Sequence, residues 1–99
     1  MSKALTPIMP GEILLEEFLK PLGISQNELA RAINVPPNRI SQIINGKREI
    51  TADTALRLGR FFRIEPEFWL NLQTRYNMKV ARTLLGKELE KSVEVYNPA

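Results

Sequence analysis

The chain has 99 residues, of which 43% are hydrophobic, and carries 14 Lys and Arg against 11 Asp and Glu, with no cysteine and no histidine. That length supports one domain around one core, and the missing thiols and imidazoles exclude a disulfide framework, a thiolate nucleophile and an ordinary zinc site. No run approaches the roughly 18 apolar residues of a membrane span and no apolar signal core opens the chain, so the expected compartment is the cytoplasm and no membrane partner is expected.

The first predicted helix covers about residues 10–20 in "PGEILLEEFLKPLG". Pro10 is acceptable in a first turn and Glu12 suits the positive end of the dipole. Leu14/Phe18 and Leu15/Leu19 form its apolar stripe, Glu12, Glu16 and Glu17 face water, and Pro21 and Gly23 are expected to stop it. A second helix, 25–33, begins at a capping box, Ser25 and Glu28 standing three apart before an apolar run. Leu29, Ala30 and Ile33 are its inward face, and Asn34 suits a left-handed exit. Pro36 and Pro37 then preset the first turn of a third helix, 36–45, after a connection too short for anything but a sharp change of direction.

In that third helix Ile40, Ile43 and Ile44 lie within about 100° of one another, and Asn38, Gln42 and Asn45 point the opposite way. Gly46 ends it. Thr51 caps a fourth helix, 51–62, with Ala55, Leu58, Gly59 and Phe62 inward. Gly59 lowers helix propensity by roughly 1 kcal/mol relative to Ala, which points to close packing there. A fifth helix starts near Pro66 with Phe68, Trp69, Leu72 and Tyr76 on one side, and either continues or bends at Asn77 on its way to Leu85. Residues 86–99 are read as a tail that begins helix-like and ends in alternating apolar residues, which fit a strand or a loose end. The whole, 1–99, is one all-α domain.

Charge is uneven along this map. From Ile24 to Arg63 there are seven basic residues and three acidic ones, so the basic excess lies in the middle, as suits a polyanion. Two helices meeting at a tight turn, the first capped and the second short with one polar face, make a helix-turn-helix. On its outer face amides match the bidentate edge of adenine, arginine matches guanine, and an entry proline fits a thymine methyl. Lys47 and Arg48, on the chain freed by Gly46, would neutralise phosphates. Each residue also has a plainer reading: the amides as the wet side of an amphipathic helix, Asn45 as a helix terminator, and Lys47 and Arg48 as partners of the negative helix end. The joint occurrence of cap, turn, proline entry, Asn-Gly exit and basic follow-on favours double-stranded DNA.

"SQNELARAINVPPNRISQIINGKR" resembles the helix-turn-helix of the lambda-repressor-like (XRE) group. With "PGEILLEEFLKPLG", "NGKREITADTALRLGRFF" and "PEFWLNLQTRYNMKVAR", the similarity over about residues 7–83 narrows to the HigA antitoxin, or virulence-associated protein I, family. The resemblance implies a five-helix lambda-repressor-like domain with a C-terminal extension. It also implies a dimer that represses its own promoter and neutralises a small ribonuclease toxin of the HigB, RelE-like kind. It carries base or groove contact onto Pro37, Asn38 and Gln42, and phosphate contact onto Gln26, Asn45, Lys47 and Arg48. Arg39 lies on the flank, within reach of either a base or a phosphate. Two departures touch the C-terminal surface: "YNMKVAR", where an acidic residue more often follows the Tyr, and Arg63, where a Gly often ends the fourth helix.

A lone domain of this size gains affinity by pairing two recognition helices about one duplex turn apart, so a homodimer on a palindromic operator is expected, with no cofactor. The acidic face of the first helix is either a solvated surface or a seat for a basic toxin. A solitary transcriptional regulator without a toxin is the alternative. An enzyme is not expected: Glu16 and Glu17, adjacent on a helix, diverge by about 100°, and no nucleophile stands with a base.

Overall fold

The computed structural model describes residues 7–98, and among them every regular element is helical. The first helix, α1 (10–22), is continuous through three segments, Pro10–Ile13, a π-helical stretch Leu14–Leu19, and Lys20–Leu22. It is followed by α2 (Gln26–Ala32), α3 (Pro37–Ile44), α4 (Ala52–Phe62), α5 (Pro66–Leu85) and a short α6 (Glu88–Ser92). The helices pack as α2 on α3 and α4 on α5, with the first turn of α1 set against both α3 and α5.

One expectation is corrected: Pro21 does not stop α1. A proline inside a helix lacks an N–H and crowds the carbonyl four residues back. Here the turn ahead of it is widened, the Lys20 N–H donating to the Leu15 carbonyl five residues back, and the helix passes through the proline to end at Gly23. A π segment is a known way of absorbing such an insult.

Four successive helices end in one manner. Gly23, Asn34, Gly46 and Arg63 all take positive φ, at 66°, 62°, 75° and 59°. The next N–H reaches back five residues: Ile24 to Leu19 (2.9 Å), Val35 to Ala30 (3.0 Å), Lys47 to Gln42 (2.8 Å) and Ile64 to Gly59 (3.0 Å). These are Schellman closures, which satisfy orphan carbonyls and reverse the chain within two or three residues. Arg63 performs the glycine's task at a steric cost of about 1–2 kcal/mol. At the other end of α2 the capping box is complete, with Ser25 Oγ accepting from Glu28 N (3.0 Å) and Glu28 Oε1 from Ser25 N (2.9 Å).

The core unites Leu14, Leu19, Leu29, Ala30, Ile33, Val35, Ile40, Ile43, Ile50, Ala55, Leu58 and Trp69. Phe18 joins three helices through ring contacts to Phe62 (5.0 Å) and Trp69 (4.8 Å). Two glycines permit backbone contact. A Cβ on Gly11 would overlap the Ile43 carbonyl oxygen and stand 2.6 Å from Ile44 Cα; one on Gly59 would lie 2.7 Å from the Ile64 oxygen. Gly59 is therefore packed closely, as its place in a helix suggests.

On α5, Trp69 is buried as expected, Phe68 and Tyr76 lie nearer the surface, and the helix runs on past Asn77 without interruption. The buried polar residue there is Gln73, unpredicted from its apolar neighbours: its Oε1 accepts from Ile50 N (2.8 Å) and its Nε2 donates to Asn77 Oδ1 (3.0 Å). Beyond Val80 the described chain is exposed throughout.

Urea unfolding tests this packing. Gly11→Ala should lower stability by about 2–3 kcal/mol through overpacking against α3. Arg63→Gly should raise it by about 0.5–1 kcal/mol, the relief of left-handed strain less the added chain entropy. An unchanged midpoint for Gly11→Ala would refute the contact.

Candidate nucleic-acid interface

The site is built on α3. Pro36 precedes Pro37 and is extended (φ −60°, ψ 143°), as a residue before proline must be, so the helix can begin only at Pro37. Ile40 and Ile43 are almost wholly buried, Ile44 partly so. Their side fixes the helix to the body, and the 3.6-residue period then leaves Asn38, Gln42 and Asn45 on the other side. Pro37, Asn38 and Asn45 are exposed and Gln42 is half-buried. Ala30 and Val35, both buried, fill the crossing between α2 and α3.

After Gly46 the chain curls back along α3, the Lys47 N–H donating to the Gln42 carbonyl. Lys47 and Arg48 are thereby displayed beside the amide face, both exposed. Neither forms an ion pair among the described residues. Arg48 does make one contact that sequence reasoning missed: its Nε donates to Gln42 Oε1 at 3.0 Å. Six residues separate the two, and only the left-handed turn at Gly46 brings them together; no sequence periodicity signals it.

Arg39 is drawn the other way. Its Nη1 stands 3.9 Å from Asp53 Oδ1 on α4, an oxygen that also accepts from Arg57 Nε at 2.6 Å. Arg57 in turn donates through Nη1 to the carbonyls of Ile33 (2.9 Å) and Asn34 (3.3 Å), where a cation meets the negative end of α2. The Asp53–Arg57 spacing of four is that of a helical pair, a signal that sequence reasoning passed over; the tie to Arg39 depends on the fold. Arg39 Nε is buried without a hydrogen bond, so the guanidinium is held at the flank with most of its donors uncommitted. Gln26 opens α2, half-buried, and makes no hydrogen bond to an α3 side chain among the described residues.

Among the described residues no three acidic side chains gather into a possible metal site, and no helix is long and apolar enough to cross a membrane. The arrangement offers amide donors and acceptors on the outer side of α3 with cations at its exit and flank, a combination suited to the edges and phosphates of a duplex.

Comparison with known proteins agrees with this geometry. Residues 15–69 match the family model described as Helix-turn-helix. Virulence-associated protein I of Dichelobacter nodosus is 55% identical over 74 residues, covering 75% of this chain and 68% of that protein. An addiction module antidote protein of the HigA family from Coxiella burnetii superposes with TM-score 0.86 at 53% identity, over 91% of this chain and 98% of that one. The Pseudomonas aeruginosa antitoxin HigA, solved with the higBA promoter, superposes with TM-score 0.88 at 42% identity, over 93% of this chain and 100% of that one.

Binding of specific and random duplexes at several salt concentrations separates the roles on this face. Lys47→Ala should weaken both DNAs alike and make the log affinity–log salt slope shallower by about one unit. Gln42→Ala should cost about 1–3 kcal/mol on the specific duplex and relax selection at one base pair. Equal losses on both DNAs for both variants would remove the distinction.

Proposed function

The chain belongs to the HigA-type family of helix-turn-helix antitoxins, and we propose that it acts as a homodimer that binds a palindromic operator, represses its own operon and neutralises a small basic ribonuclease toxin of the HigB, RelE-like kind. The observation that carries the reading is the anchoring of α3 by Ile40 and Ile43, which leaves Asn38 and Asn45 exposed and Gln42 half-buried on the opposite side of the helix. In this reading Pro37, Asn38 and Gln42 meet base edges in the major groove. Gln26, Asn45, Lys47 and Arg48 meet phosphates, and Arg39 reaches in from the flank. The protein works in the cytoplasm, without a cofactor, and catalyses no reaction.

Pairing follows from the small footprint of one such domain: two α3 helices about 34–36 Å apart read successive turns of one face of the duplex. A second copy is also the partner suited to the exposed Leu84 and Leu85 of α5 and Leu89 of α6, which a monomer would leave in water.

The toxin reading draws on family membership and on the outer face of α1. Glu12, Glu16 and Glu17 are all exposed there; Glu16 is paired with Lys20 at 2.9 Å, an exposed helical pair of small energetic weight. A basic partner would compete for these carboxylates.

Footprinting of the promoter upstream of the gene, with sedimentation of the same preparation, tests the central reading. A protected palindrome and a dimeric mass are expected, and an unprotected promoter would overturn it. Co-purification with the neighbouring gene's product tests the toxin. Capture by the native chain and its loss on Glu16→Lys/Glu17→Lys support the acidic face. Undiminished capture by the variant rejects that face, and no capture by the native chain leaves a solitary transcriptional regulator.

A further inference from the structure

Arginine has donors and no acceptor, so the Gln42 atom facing Arg48 Nε at 3.0 Å must be the carbonyl oxygen. That single bond settles which way the amide points, an orientation otherwise interchangeable. The Gln42 amide nitrogen, with two hydrogens, is left without a hydrogen bond to any described residue. Half-burial of Gln42 restricts its swing and favours this one presentation.

The consequence concerns which base the side chain can read. A free glutamine recognises adenine by offering its oxygen to the N6 amine and its nitrogen to N7 together. Here the oxygen is engaged by Arg48, and what remains outward is a pair of N–H donors. Guanine offers two adjacent acceptors, O6 and N7, on its major-groove edge, whereas adenine sets a donor beside its single acceptor.

We propose that Arg48 is a positioning residue that converts Gln42 from a reader of adenine into a reader of guanine. This rests on the DNA-binding reading above and specifies the base class read by that face. The Arg48 Nη groups make no hydrogen bond to a described residue and stay available to a phosphate while Nε holds the amide, so the two duties do not compete.

Selection of the full-length protein and its variants against duplexes randomised across the operator length is the test. The native chain should select guanine at one symmetric position in each half-site. Gln42→Ala should lose preference at that position alone, by about tenfold. Arg48→Met should lose the guanine preference at the same position and shift it toward adenine, and Gln42→Ala/Arg48→Met should show neither preference there. Arg48→Met that weakens every sequence alike with the base preference intact would make Arg48 a phosphate contact only and overturn the inference. Selection of adenine by the native chain at the Gln42-dependent position would overturn it as well. If the native chain enriches no sequence at all, the DNA-binding reading itself fails, a result distinct from either.

Discussion

Burial of Ile40 and Ile43 is the constraint on which the rest of the structure depends. Each removes an aliphatic side chain from water, worth about 1.5–3 kcal/mol, and between them they fix the rotation of a helix only eight residues long. A helix of that length has little stability of its own. Its position is therefore set by what its apolar side rests on: α2 at Ala30, the turn after it at Val35, and the backbone of α1 at Gly11. The polar side gains its exposure as the geometric complement of that anchoring, and needs no separate device to hold it outward.

The repeated left-handed closures do the remaining work of assembly. Because each helix ends with its orphan carbonyls satisfied inside one turn, the connections are short and their directions are set. The closure at Gly46 has a chemical outcome beyond topology, since it folds Arg48 onto Gln42. The closure at Asn34 has another: it leaves carbonyls that Arg57 occupies, and Arg57 then holds Asp53 beside Arg39. Backbone conformation at two residues thus arranges the guanidinium groups on either side of α3.

Much of this was legible in the amino-acid sequence, and for identifiable reasons. The capping box at Ser25 and Glu28, the isoleucine period of α3 and the asparagine before Val35 are local signals whose physics is complete within one helix and its ends. Gly59 stood out because a glycine in a helix interior asks for an explanation. Features that depend on two distant segments gave no such signal. Pro21 marks a helix end by local rules, and only the widened turn ahead of it lets α1 pass through. Gln73 looks like an ordinary polar position of an amphipathic helix until Ile50 is placed next to it. Gly11, beside a helix-opening proline, shows its purpose only when the α3 backbone is against it. The candidate DNA contacts fall between these cases: sequence assigned their side of the helix, while the bond that orients Gln42 belonged to the fold alone.

The buried amide of Gln73 limits how this chain can drift. Most positions on α5 tolerate exchange for another residue of similar polarity, but this one must reach an N–H on a separate loop and a side-chain oxygen one turn along its own helix. Asparagine is too short, leucine offers no acceptor, and glutamate would bury a charge while losing the donor. Glutamine is left as the one side chain that meets both neighbours, so variation among descendants of this sequence should flow around position 73 and accumulate on the open flanks of the helix.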